Sequence, residues 1–169
     1  MGYVQNPYGH YKVEHQHHRN ACWAAALSYW LKVTHNSNKK TQSQLWSDSD
    51  LKGQYSNFMS VGVAESSPDY GVLEADELLS LLRKSGWGMS AWMFNGLEGS
   101  DLQSLLASGP VVIGYWDINS NGQHVNVICG YDPGMDYCAV MEPRKYHYVE
   151  KPLSEYSAIS TEFMVGWKV

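Results

Sequence analysis

The strongest periodic signal in the chain is the recurrence of Trp23, Ala26, Leu27, Trp30 and Leu31 at offsets 0, 3, 4, 7 and 8, one face of an α-helix. Asn20 stands just ahead of it as a candidate N-cap. The preceding segment, Met1–Arg19, contains Gly2, Pro7 and Gly9 but no period, and reads as an extended or looping lead-in. Leu78, Leu79, Leu81 and Leu82 within Glu74–Lys84 predict a second helix, with acids at its start and Arg83-Lys84 at its end before Gly86. A shorter third helix is predicted over Ser100–Leu106, capped by Ser100 and stopped by Gly109-Pro110. Between Thr34 and Tyr70 the chain is rich in Ser, Asn, Gln and Asp, with a possible short helix at Gln42–Leu51 and turn chemistry at Ser66-Ser67-Pro68-Asp69. After Pro110 the pattern changes: Val111–Trp116, His124–Tyr131, Tyr137–Met141, Tyr146–Val149 and Phe163–Val169 are β-prone runs separated by Gly, Asn, Asp or Pro. Helices first and strands afterwards, without βαβ alternation, predict an α+β fold. One domain is expected over 1–169, with a helical lobe of about 1–108 and a β lobe of about 109–169.

Composition narrows the function classes. Hydrophobic residues are 44% and aromatics 13% of the 169 residues, enough for a packed core. A net charge of −5 with no basic block argues against a nucleic-acid binder or a polybasic membrane-surface protein. No run approaches the roughly 20 apolar residues of a membrane span, and Met1–His18 lacks a hydrophobic signal core, so a soluble chain without a Sec-type export signal is expected. The cysteines, Cys22, Cys129 and Cys138, are odd in number, so at least one thiol is free.

Cys22 opens the first predicted helix, where unpaired backbone N–H groups and the positive end of the dipole favour a thiolate. The surrounding segment reads Gln16-His17-His18-Arg19-Asn20-Ala21-Cys22-Trp23-Ala24-Ala25-Ala26. It resembles the active-site segment of papain-like cysteine peptidases, with a glutamine six residues before the nucleophile, an aromatic after it, and small residues in the helix. The resemblance extends to the bacterial secreted-effector branch of the avirulence-protease type through the Leu-rich helix, Gly109-Pro110-Val111-Val112 and the His124 strand. It implies a papain-like fold whose nucleophile helix packs against an antiparallel β-sheet or half-barrel, and an oxyanion hole formed by Gln16 and the Cys22 backbone N–H.

A thiolate needs a base that can also protonate a leaving amine. His124, at the start of His124-Val125-Asn126-Val127-Ile128-Cys129-Gly130-Tyr131, resembles the family's catalytic histidine. The position that orients the imidazole, Asn or Asp in the family, matches Glu142 in Met141-Glu142-Pro143-Arg144, a departure in side-chain length. Asp132 is the alternative, but lies roughly 25 Å along His124's own strand if that strand is extended. Cys129 and Cys138 are expected as core thiols. Trp23, Tyr115 and Trp116 are candidates for the substrate groove. His15, His17 and His18 cluster in sequence, but no Cys or carboxylate spacing completes a metal site, so neither metal nor cofactor is expected.

These residues predict a cysteine peptidase acting on a protein or peptide substrate through a thioester. Peptidoglycan amidase, glutamine deamidase and transglutaminase chemistry would use the same machinery, and a binding module that kept the fold and lost the chemistry is the non-enzymatic alternative. By resemblance, the expected setting is a bacterial effector or toxin domain, cytoplasmic before delivery by a specialised secretion machine, with a cognate immunity protein as possible partner.

Overall fold

A computed structural model describes residues 7–48, 71, 73, 75–84, 86–157 and 162–169. The elements run α1 (Cys22–Val33), α2 (Gln42–Ser47), α3 (Ala75–Lys84), β1 (Met89–Phe94), α4 (Gly99–Leu106), β2 (Val111–Asp117), β3 (Gly122–Asp132), β4 (Tyr137–Met141), β5 (Val149–Pro152), α5 (Ser154–Ser157) and β6 (Phe163–Lys168). The six strands form one sheet in the order β1-β6-β2-β3-β4-β5, each neighbouring pair antiparallel. The α+β expectation holds.

Both faces of the sheet are covered. Against one face pack α1 and α3, closing a core of Trp23, Leu27, Trp30, Leu31, Leu78 and Leu82 over Val112, Val125, Val127, Met141 and Met164. The other face carries Val111, Ile113, Ile128, Val140, Phe163 and Val165 under Leu97, Leu102, Leu153 and Tyr156. Burial on both sides explains why β2 and β3 read as nearly continuous apolar runs rather than as alternation. Within β3 the pairing shifts between Ile128 and Gly130, so Cys129 faces the α1 side and Tyr131 returns to the face of Ile128. Cys129 and Cys138 are free buried thiols in opposite cores.

Several local expectations are corrected. The N-cap of α1 is Ala21, not Asn20: Ala21 N–H bonds the His18 carbonyl at 3.1 Å, and the buried helix start has no side-chain cap bond. Cys22 is therefore the first helical residue. For α4 the cap is Glu98, again without a side-chain bond, and not Ser100. The second element ends at Ser47, after a capping box in which Thr41 and Gln44 satisfy each other's backbone N–H. Tyr146 is exposed and outside any strand; β5 begins at Val149, and as an edge strand it tolerates Pro152. Strand β1, from the part of the chain expected to be helical, pairs with β6 along its whole length. Apolar residues occupy both parities of β1, because the exposed Trp92 is covered by the Arg83 guanidinium 4.6 Å above its ring. The Ser66–Asp69 turn lies outside the described residues.

The position of Cys22 depends on how α1 seats on β2 and β3. Leu27, one turn beyond it, is fully buried in that seat. Leu27→Ala is expected to cost about 2–5 kcal/mol of unfolding free energy, measured by urea denaturation, because it leaves a cavity between helix and sheet.

Candidate active site

Three segments meet at the N-terminus of α1. The first is the lead-in, whose backbone is pinned by Gln42: His17 N–H donates to Gln42 Oε1 at 2.6 Å, and Gln42 Nε2 donates to the His15 carbonyl at 3.0 Å. Between those anchors, Gln16 N–H bonds the Pro143 carbonyl at 2.8 Å, which joins the lead-in to the loop after β4. The second segment is β3, which presents His124 two residues into the strand. The third is the Glu142–Lys145 loop, stitched to the β2–β3 turn by Arg144 Nη1 to Asp117 Oδ2 at 2.8 Å. Asp117 is further held by Ser120 Oγ at 2.7 Å and Asn119 N–H at 3.0 Å.

His124 is 1% exposed. Its Nε2–H donates to Glu142 Oε1 at 2.5 Å, so the longer carboxylate reaches the imidazole. Nδ1, the other ring nitrogen, is buried and makes no hydrogen bond among the described residues, while the ionisations of His124 and Cys22 are coupled, each shifting the other's pKa. Glu142 accepts at both oxygens: Oε1 also takes Arg144 N–H at 3.2 Å, and Oε2 takes Asn126 Nδ2 at 3.4 Å and the Lys151 ammonium at 3.3 Å.

The electrostatics follow from these contacts. Burial raises the Cys22 thiol, but the neighbouring His124 imidazole and its charge, the Val125 backbone N–H and the Arg144 charge outweigh it, leaving the pKa below its ordinary value. For His124, burial disfavours the imidazolium, yet the neighbouring Cys22 thiolate and the hydrogen-bonded Glu142 carboxylate raise its pKa to about 9. Burial opposes ionised Glu142 too; His124, Lys151 and the Arg144 N–H overcome it and bring the pKa down to about 2. By contrast, burial pushes the thiols of Cys129 and Cys138 up to about 12, as expected of inert core cysteines.

A cleft opens at Cys22, lined by Arg19, Asn20, Trp23 and Leu73 on one side and Gln123, Val125 and Arg144 on the other. Trp23 is otherwise a core residue; its indole N–H bonds the Gly71 carbonyl at 3.1 Å and its ring stacks on Trp46. Trp116, 41% exposed, pairs with Gln123 beside the cleft. Tyr115 is not a groove residue. At 2% exposure it lies behind the imidazole, edge-on to His124, with its hydroxyl accepting from Asn126 and Lys151. Gln16 turns its amide N–H groups to the His18 and Arg19 carbonyls at 2.8 and 2.7 Å, while its carboxamide oxygen is buried without a partner. The histidines of the lead-in are spread apart: His15 stacks on Tyr146 and His18 on Trp46. Among the described residues no group of three or more His, Cys, Asp or Glu could hold a metal ion, and no helix is long and apolar enough to cross a membrane.

Gln42, Asn126, Arg144 and Lys151 were not singled out from the sequence. Asn126 alone left a trace, as a polar residue interrupting the apolar run of β3.

The paired charges link stability to pH. Glu142, depressed from 4.5 to about 2, contributes stability present above pH 4.5 and lost as pH falls through about 2. His124, raised from 6.5 to about 9, contributes stability present below pH 6.5 and lost as pH rises through about 9. Between those last two values the Cys22 thiol, lowered in the fold, opposes the His124 slope, so a loss of stability with rising pH is expected once Cys22→Ala removes that opposition, and a less steep loss in Cys22→Ala/Glu142→Gln, as read by urea unfolding at a series of pH values.

Residues 8–160 match the family model described as papain-like cysteine protease AvrRpt2. A search of curated proteins returned no match. Among solved structures, xylellain, a cysteine protease from Xylella fastidiosa, is similar at 13% identity and a TM-score of 0.59, over 95% of this chain and 84% of that one. The peptidase domain of Streptococcus ComA, a bi-functional ABC transporter involved in a quorum-sensing pathway, is similar at 12% identity and a TM-score of 0.57, over 95% of this chain and all of that one. At such identities these two establish the fold, and the family match supplies the class: the chain belongs to the AvrRpt2 family of papain-like cysteine proteases.

Proposed function

We propose that Cys22 is the nucleophile of this peptidase, His124 its base and then its acid, and Glu142 the group that orients and charges the imidazole. The observation that carries this reading is a fully buried imidazole held by Glu142 at Nε2, with Nδ1 left without a hydrogen-bond partner among the described residues and the ring's ionisation coupled to that of Cys22. Between the lowered pKa of Cys22 and the raised pKa of His124 the resting state is a thiolate–imidazolium pair. Cys22 Sγ attacks the carbonyl carbon, and His124 Nδ1–H passes its proton to the leaving amine as the thioester forms. Water, deprotonated by the now neutral His124, then hydrolyses the thioester and restores the thiol pair.

The oxyanion would be met by the Cys22 backbone N–H, one of the unpaired donors of the first turn of α1. Gln16 would be the second donor by swinging one amide N–H away from the His18 or Arg19 carbonyl. The cleft divides into a helical wall, from the part of the chain at about 1–108, and a β wall from about 109–169, consistent with two lobes closing on an extended peptide. Trp116, exposed beside the β wall, is suited to cover a substrate side chain. The family match favours a protein substrate in a target cell and delivery as a secreted effector.

The test is hydrolysis of a proteome-derived peptide library, read by mass spectrometry. Wild type is expected to cut at a defined set of bonds, Cys22→Ala to cut none, and His124→Ala to be slower by about 10²–10⁴-fold. EDTA should have no effect. Cleavage that survives in Cys22→Ala contradicts the proposal, and release of ammonia without chain scission moves the chemistry to deamidation. Gln16→Ala is expected to lower kcat by about 10²–10³-fold with little change in KM; an unchanged kcat would mean the resting contacts of Gln16 are its whole role.

A further inference from the structure

The orienting carboxylate departs from its family in length, and a glutamate carries one more rotatable bond than the Asp or Asn it replaces. Something must hold it. Oε1 is occupied by His124 and the Arg144 N–H, but Oε2 faces away from the imidazole, toward a polar layer enclosed by β2, β3, β5 and α5. Lys151 stands at the centre of that layer. Its ammonium lies 3.3 Å from Glu142 Oε2, donates to Tyr115 OH at 2.9 Å and bonds Glu155 Oε1 at 2.7 Å, with the side chain 15% exposed. Tyr115 in turn accepts from Asn126 Nδ2 at 3.2 Å, and Asn126 Oδ1 accepts from Tyr156 at 3.3 Å.

Resting on the Cys22–His124–Glu142 reading, we propose that Lys151 is a positioning residue, a fourth buried member of the line that clamps Glu142 by Oε2 so that Oε1 stays on the imidazole. The clamp answers a charge requirement as well as a steric one. Thiolate, imidazolium and carboxylate together carry one net negative charge in a site closed to water on most sides, and such a charge is costly unless it is balanced. Lys151 supplies that balance. Its ammonium donates hydrogen bonds to Tyr115 and Glu155 and lies 3.3 Å from Glu142 Oε2 as an ion pair, so its own position is fixed by β2 and α5 and not by Glu142 alone. The other charged or titratable groups around the pair are Cys22 on α1, His124 on β3, Asp117 and Tyr115 on β2, Arg144 in the loop after β4, and Glu155 and Tyr156 on α5. Arg144 directs its guanidinium to Asp117, whereas Lys151, which also pairs with Glu155, is the cation whose side chain stands 3.3 Å from Oε2.

On the side away from Cys22 a cavity of about 470 Å³ is lined by Asp117, Glu142, Arg144, Lys151 and Glu155. Solvent can therefore reach Oε2 once the ammonium is removed, so a Lys151→Met protein is expected to fold.

The experiment follows the imidazole of His124 by NMR titration in wild type, Lys151→Met, Glu142→Gln and the double variant, with Lys151→Arg as the conservative replacement. It does not depend on catalysis. Loss of the clamp is expected to lower the His124 pKa by about one unit in the Glu142 protein, a tenfold change in its proton equilibrium. It should have no further effect in the Glu142→Gln background, since two residues acting through one contact are not additive. Lys151→Arg should restore most of the shift. An unchanged titration overturns the proposal, as does an equal fall in both backgrounds. A rise overturns it too, because that is the sign expected if Lys151 were only a nearby positive charge repelling the imidazolium. A wild-type His124 that titrates at its ordinary value contradicts the catalytic reading, whereas the Lys151 clamp is judged by the differences among variants.

Discussion

The structure depends on one short contact, the 2.5 Å hydrogen bond between His124 and Glu142 inside the protein. An imidazolium and a carboxylate removed from water each lose solvation worth several kcal/mol, and their attraction recovers it only if the remaining hydrogen-bonding positions are filled. The surroundings follow from that requirement. Asn126 interrupts an apolar strand, Tyr115 turns its hydroxyl inward, Tyr156 closes the layer from α5, and Lys151 reaches across from the edge strand. Removing Asn126, Tyr115 or Tyr156 would leave a buried partner short of a hydrogen bond, whereas at Lys151 the adjoining cavity admits solvent. The polar layer is thus concentrated at one end of a face that is otherwise Val, Ile, Leu and Phe.

The rest of the fold places Cys22 against that end. Helix α1 is buried on nearly every side, with Ala24, Ala25 and Ala26 allowing close approach to the sheet, so its first residue has little freedom to move. Covering both faces of the sheet makes β3 rigid along its length, and His124 inherits that rigidity. The lead-in is secured separately: Gln42 pins it beside Gln16, while Tyr148 donates to the Tyr8 and Tyr11 carbonyls at 2.8 and 2.9 Å. Nucleophile, base and lead-in are therefore fixed by three independent sets of contacts that converge on one point.

Much of this was legible in the sequence because it rests on local pattern. The apolar spacing of α1 and α3 and the short β-prone runs after Pro110 fix their elements within a few residues, and Gln16, Cys22 and Trp23 carry a recognisable spacing. What escaped depends on long-range packing. No window shows that β1 will pair with β6, since Trp92 is made tolerable at the surface by an arginine nine residues away in sequence. Parity alone does not reveal that Tyr115 faces inward, because both faces of β2 are buried, and an aromatic beside an exposed Trp116 looks equally suited to a groove. Lys151 in an edge strand reads as a solvated charge until the fold brings Glu142 and Tyr115 to it.

The chemistry of the site depends most directly on the charge state of Cys22. Its test is the pH dependence of Cys22 alkylation by iodoacetamide, with peptide mapping to exclude Cys129 and Cys138, in wild type and in His124→Ala. The prediction is a thiolate reactive well below the free-thiol value of about 8.5, displaced upward when the imidazole is removed. A Cys22 that does not react, or whose profile is indifferent to His124, would contradict it.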